Sequence, residues 1–201
     1  VEYGLLSEPK GFAKSELAAA LVVAEFVGPC RFDHWAKKGE VSSWGYAYAE
    51  GEPVGKPMTY PFIRILATEE GQTGNTYKVV YAMLRHAQDK YGNCPAGRFM
   101  DADVSITRTL LGQGGEDGEI RPCSAGAASK DGGLESFAVA DEPHLYILPV
   151  HHEMHDIVKN NSVKRAIAEP WMLATTTMFR PGQGSVAEDL YRDVEELVKV
   201  P

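Results

Sequence analysis

Apolar runs alternate with amphipathic stretches along this chain. Leu5-Leu6-Ser7 reads as a short strand tip. A polar turn follows, and then Glu16 to Phe26, built largely of Ala, Leu and Glu, which favour helix. Phe62 to Thr68 reads as a second strand. Thr73 to Tyr91 reads as a helix, because Tyr77, Val80, Tyr81 and Leu84 recur at helical spacing. Phe137 to Asp141 is an apolar run closed by an acid, the pattern of a strand buried on both faces. Val150 to Ala168 predicts a polar helix and Trp171 to Thr177 another strand. Ser185 to Val198 predicts a closing helix, with Ser185 as N-cap and Glu188 at the capping-box position. Residues 28–61 are rich in Gly, Pro and aromatics (Trp35, Trp44, Tyr46, Tyr48, Tyr60) and predict loops and short segments packed on the domain edge. Residues 104–124 predict β segments around the turn Gly112-Gln113-Gly114-Gly115. There is no internal repeat. This alternation predicts an α/β domain with a mainly parallel central sheet and helices on both faces.

Two segments carry candidate chemistry. The first is Glu8-Pro9-Lys10-Gly11-Phe12-Ala13-Lys14-Ser15, between the first strand and the first helix. Strand, turn, Lys-Ser and helix is the order of a P-loop, or Walker A motif. Its backbone N–H groups and the helix N-terminus would cradle the phosphates of ATP, so Lys10, Gly11, Phe12, Ala13, Lys14, Ser15 and Glu16 are candidate nucleotide-binding residues. Lys14 would reach the β/γ oxygens and Ser15 would bind Mg²⁺. The consensus glycine before the lysine is Ala13, and the first glycine position is Glu8. The second segment is Phe137-Ala138-Val139-Ala140-Asp141-Glu142-Pro143-His144. Two carboxylates at the tip of a buried strand would lie at the sheet edge where ligands bind. Asp141 would hold Mg²⁺, directly or through water, and Glu142 would polarise an attacking water. Glu142 and Lys14 are thus the candidate catalytic pair, with Asp141 and Ser15 as candidate metal ligands.

Other residues are weighed against plainer roles. Thr175-Thr176-Thr177 ends the strand after the acid pair. A hydroxyl there, Thr176 in particular, would sense the γ-phosphate, although threonines also favour strands for themselves. Gln72 would contact nucleotide or simply open a helix, with Thr73 or Asn75 as cap. His151 and His155 stand at i and i+4, but no third ligand accompanies them, so a solvated helix face is the better reading. Lys10 would touch the γ-phosphate in cis. Arg165 and Arg180 are candidate arginine fingers for a neighbouring subunit, each also readable as an ordinary surface residue. Ser124 to Gly133 is small and loop-like.

Composition narrows the class. The chain is 44% hydrophobic and 24% charged, ordinary for a globular protein, and its 201 residues suit one sizeable α/β domain. A net charge of -8 argues against gripping DNA by bulk electrostatics. Lys159, Lys164 and Arg165 fall on one predicted helix and read as a solvated face. No apolar run is long enough to span a bilayer, and Val1 begins no leader segment. Cys30, Cys94 and Cys123 form no CxxC pair and imply a reducing compartment.

Taken together, these segments resemble the ATPase domain of the tailed-bacteriophage terminase large subunit. The resemblance rests on Pro9 to Ala19, on Ile65 to Thr76, on Asp131-Gly132-Gly133 before Phe137 to His144, and on Ala174-Thr175-Thr176-Thr177 before Ser185 to Glu188. It covers nearly the whole chain in the family's order. It implies a P-loop NTPase of the additional-strand, catalytic-glutamate (RecA-like) class, with the Thr175–Thr177 strand between the Walker A and Walker B strands. It implies ATP and Mg²⁺ as cofactors, with the Thr175–Thr177 stretch as the motif linking hydrolysis to DNA movement. Implied partners are double-stranded DNA, the portal protein, the small terminase subunit and further copies in a ring, in the host cell cytoplasm and with no membrane. Lys10 stands where relatives often carry arginine. The family's C-terminal nuclease would lie outside this chain, leaving a single ATPase domain over 1–201, and the missing initiator Met fits an excised piece. A helicase-like ATPase and a non-catalytic scaffold with the same fold are the alternatives.

Overall fold

The computed structural model describes residues 2–43, 45–68, 70–91, 98–99, 106–109, 116–124 and 133–198. Nine strands are present among them: β1 (Glu2–Ser7), β2 (Arg31–Trp35), β3 (Pro53–Lys56), β4 (Phe62–Ala67), β5 (Arg98–Phe99), β6 (Ile106–Thr109), β7 (Glu116–Ser124), β8 (Phe137–Asp141) and β9 (Trp171–Thr176). The helices are α1 (Lys14–Val27), α2 (Glu70–Tyr91), α3 (Pro149–Val163) and α4 (Val186–Val198). Seven strands form one sheet in the order β1-β9-β8-β4-β7-β6-β5. The first five are mutually parallel, and β6 and β5 close one edge antiparallel. All five parallel strands therefore end at one edge. The registers Ser7↔Thr176 and Asp141↔Thr175 put three strand tips side by side there. The threonine strand β9 lies between β1 and β8, as the resemblance implies.

Strand alternation divides the core into two layers. Ile63, Ile65, Phe137, Val139 and Leu173 meet Ala18, Val22 and Phe26 of α1 and Val80 and Leu84 of α2. Leu66, Ala138, Ala140, Met172 and Ala174 face the other way, onto Met154 and Val158 of α3 and Val186 and Leu190 of α4. Each fully buried Val, Leu, Ile, Phe or Met side chain among these contributes about 1.5–3 kcal/mol, and β8, buried at every position, holds Asp141 and the Glu142 that follows it in a firm frame.

Several elements differ from expectation. Residues 28–61 contain a hairpin, β2-β3, with an irregularity between Phe32 and His34. It is tied to the domain by Arg31, which pairs with Glu25 at 2.9 Å and donates to the Ala168 carbonyl. Helix α2 begins at Glu70 rather than Thr73. Helix α3 ends at Val163 rather than Ala168. A turn and a 3₁₀ segment (Ala166–Ala168) follow it, because Arg165 is drawn to the Thr59 and Tyr60 carbonyls and over the Phe62 ring. That places Arg165 at the start of β4, the sheet edge opposite Asp141. Lys164 and Arg165 thus leave the helix that was to carry them with Lys159. His151 and His155 are buried, not solvated. His155 Nε2 lies 2.9 Å from the Tyr3 hydroxyl, and no three-residue metal cluster of His, Cys, Asp or Glu occurs among the described residues. Ser185 does cap α4, accepting from the Glu188 N–H, but the Glu188 carboxylate turns to the Gly182 and Gly184 amides instead of closing a capping box. The 112–115 turn, residues 125–132 and the Gln72, Thr73 and Asn75 side chains lie outside the described residues. No described helix is long and apolar enough to cross a membrane.

Candidate nucleotide site

The 8–13 loop leaves β1 by extending its ladder one step, through Glu8 N–H to the Thr176 carbonyl at 3.0 Å. It then turns through Gly11 at φ 90° and Ala13 at φ 53°. An L-residue in the left-handed region costs about 1–2 kcal/mol, and Ala13 takes this conformation although it carries a side chain. The backbone thus makes the turn expected of a glycine at this point. Ala13 has no side-chain oxygen and nothing caps α1 from a side chain. The helix N-terminus, with its unpaired N–H groups and positive dipole end, faces the strand tips. Ser15 opens α1 half-buried, while Phe12 and Glu16 are exposed.

Lys14 is 7% exposed. Its ammonium donates to the Glu8 and Pro9 carbonyls at 2.9 and 3.2 Å and lies 4.0 Å from Glu142 Oε1. Residues 128 positions apart in sequence (142 − 14) meet at one sheet edge. Asp141 lies beneath them, largely buried. Its Oδ2 accepts the Thr76 hydroxyl at 2.9 Å and its Oδ1 the Thr175 hydroxyl at 3.1 Å. Burial pushes the Asp141 carboxyl above its ordinary value, and the two threonine hydroxyls draw it partly back. Thr76 falls in the predicted Thr73–Tyr91 helix and in the Ile65–Thr76 match, but neither assigns it a role. The signal was a polar residue at i, i+4 and i+8 with Val80 and Leu84 on the apolar face of α2, which needs a buried partner.

Glu142 itself sits at φ 53°, a second left-handed residue of the kind that gathers at functional sites. Its N–H bonds the Thr175 carbonyl at 2.8 Å. Its Oε2 accepts the Thr177 N–H at 3.1 Å and lies 3.0 Å from His144 Nδ1. Thr176 is fully buried, and its hydroxyl donates to the Thr177 carbonyl and lies 2.9 Å from His144 Nδ1. The candidate γ-phosphate sensor is therefore joined to the acid pair through His144. Arg180 is exposed on the loop that follows β9.

These residues fit a nucleoside triphosphate with Mg²⁺. An uncapped helix end and an ammonium suit phosphate. One buried carboxylate with lone pairs to spare suits an ion that keeps most of its shell as water and phosphate oxygens. Asp141 also gives a stability prediction. Its folded-state value is raised, so its stabilising contribution is complete below the ordinary value of 3.8 and is lost as pH rises through the folded value. In Mg²⁺-free buffer at pH 7, Asp141→Asn should raise the thermal midpoint by roughly 2–4 °C, the effect of about 1 kcal/mol in a domain of this size. The gain should vanish toward pH 4. Equal midpoints at pH 7 would count against a strained, ionised Asp141.

Sheet order, loop and acid pair together define an α/β fold of the RecA-like P-loop class. No family model matches the chain. Within the class, the fold is that of phage large terminases. The HK97 bacteriophage large terminase superposes with a TM-score of 0.67 at 12% identity, over 99% of this chain and 34% of that one. The ATPase domain of the Thermus phage P74-26 large terminase superposes with a TM-score of 0.52 at 14% identity, over 87% of this chain and 58% of that one. In sequence, the chain is 25% identical to the Gene 13 protein of Mycobacterium phage L5 and 24% identical to that of Mycobacterium phage D29, over 96% of its length in each case. It spans 30% and 29% of those relatives.

Proposed function

We propose that this chain is the ATP-hydrolysing motor domain of a phage DNA-packaging terminase, acting on double-stranded DNA in a ring of copies on a portal. The observation that carries this reading is the meeting of Lys14, Asp141 and Glu142 at the tips of β1, β9 and β8, in the fold of phage large terminases. The amides of residues 10–16 and Lys14 hold the phosphates, and Ser15 and Asp141 hold Mg²⁺. When bound, Mg²⁺ neutralises charge on the phosphate oxygens. Glu142 Oε1, the carboxylate oxygen on the Lys14 side, orients the attacking water and takes its proton. The domain carries a net charge of -8, so DNA is held by local surfaces or by other parts of the assembly. An arginine supplied by a neighbouring copy would be worth about 10³–10⁵ in rate, leaving the domain slow in isolation. The small terminase subunit is a further proposed partner, and the host cytoplasm the proposed location.

The test is phosphate release from MgATP by the full-length protein, with and without double-stranded DNA and portal. Turnover that rises when both are added is expected. A full-length protein that binds nucleotide but shows no turnover in any combination would instead favour the non-catalytic scaffold.

A further inference from the structure

His144 belongs to neither segment's expected chemistry, yet it touches three groups of the site. Pro143 starts a 3₁₀ turn directly after Glu142, and that turn swings the His144 ring back over the strand tips. Nδ1 lies 3.0 Å from Glu142 Oε2 and 2.9 Å from Thr176 Oγ1. Nε2 lies 3.5 Å from Thr177 Oγ1. The Thr176 hydroxyl donates to the Thr177 carbonyl, so toward His144 it acts as acceptor and Nδ1 must carry the proton. Nε2 is then free to accept from the Thr177 hydroxyl. The Nδ1–H faces both Thr176 Oγ1 and Glu142 Oε2, and the Thr177 N–H donates to the same Oε2, which leaves Oε1 on the Lys14 side.

We propose that His144 is a positioning residue: its Nδ1–H fixes the Glu142 carboxylate with Oε1 toward the phosphate loop and ties that orientation to Thr176 and Thr177 at the end of β9. The same turn is bound to α4, because Val186 N–H donates to the Tyr146 carbonyl. Movement of the 177–185 loop and α4 against the sheet would therefore reach the glutamate through this ring. That gives the site a mechanical link between carboxylate orientation and the segment following β9.

The inference rests on the ATPase reading, so its test has one arm that needs no turnover. In nucleotide-free protein, imidazole nitrogen NMR should show His144 as the Nδ1–H tautomer. The groups facing it are Glu142, Lys10 and Lys14, and burial with the two lysines holds its pKa below the ordinary 6.5 against the pull of Glu142. Glu142→Gln should therefore lower its titration midpoint further. The Nε2–H tautomer, or a midpoint indifferent to Glu142→Gln, would overturn the contact. In the second arm, His144→Ala in the full-length protein should lower kcat about 10- to 100-fold with KM for ATP unchanged, as expected when a reacting group is misplaced by about an ångström. His144→Asn, whose amide can donate from near the Nδ1 position, should recover part of that loss. Unchanged kcat, a change in KM alone, or a folded Asn variant no better than Ala would overturn the positioning role. A parent protein without turnover would sink the ATPase reading while the NMR arm still decides the contact.

Discussion

Glu142→Gln should lower phosphate release by about 10²–10⁴-fold, the range of a lost general base, and leave nucleotide affinity equal to or slightly above that of the parent. The geometry accounts for both halves. Gln keeps a carbonyl oxygen that can accept from Thr177 N–H and His144 Nδ1–H in place of Oε2, so the turn and the strand tips remain joined. Its amide cannot take a proton from water. The substitution also removes a negative charge 4.0 Å from the Lys14 ammonium, which frees that cation for phosphate. Steady-state phosphate release on the full-length protein reads the first effect, and titration with a fluorescent nucleotide reads the second. Parent-like turnover would remove Glu142 from its role. A large loss of affinity would mean that the side chain is structural. His144→Ala differs from this variant in degree, since it leaves the base present but loosely aimed.

The framework of this fold was legible because its signals are local. The uniformly apolar β8 with two acids at its tip, the Ala-rich α1 behind a Lys-Ser turn, and the threonine-ended β9 each announce their place within a dozen residues. What escaped was decided by contacts distant in sequence. Nothing in the helical pattern marks a partner for Thr76, and only the packing of α2 on β4 and β7, which carries its hydroxyl to the tip of β8, reveals the bond to Asp141. Helix α3 stops short of its predicted end because Arg165 finds carbonyl partners about 105 residues earlier in the chain. Periodicity carries no information about such a partner. Histidine is polar and so predicts a solvated face, yet both rings are buried, His155 against Tyr3 and His151 beside Tyr146. At the site itself, residue types were readable and their connectivity was not. The order Asp-Glu-Pro-His gives no hint that Pro143 turns the ring back onto the glutamate. Ala13 shows the converse. The sequence marks it as a departure from glycine, and the backbone adopts the left-handed turn regardless.

Lys14→Ala should weaken nucleotide binding by roughly 10- to 150-fold, the equivalent of the 1.5–3 kcal/mol typical of a hydrogen bond to a charged group. The lysine is largely buried, and its ammonium bonds the Glu8 and Pro9 carbonyls. A bound phosphate would have to compete for it, so the measured loss is the net of phosphate contacts over loop contacts. This places the expected value within that range rather than above it. The two carbonyls belong to a largely exposed loop where water can replace the ammonium, so the thermal midpoint should change little. The variant thus separates affinity from folding. Fluorescent-nucleotide titration read beside thermal unfolding makes the comparison. Unchanged binding in a folded variant would show that the 8–15 loop is not the phosphate cradle, and the ATPase reading would fall with it. Lost binding with unchanged melting, set against kept binding with lost turnover in Glu142→Gln, would divide the work of the site between a side chain that holds phosphate and one that acts on water, across a gap of 4.0 Å.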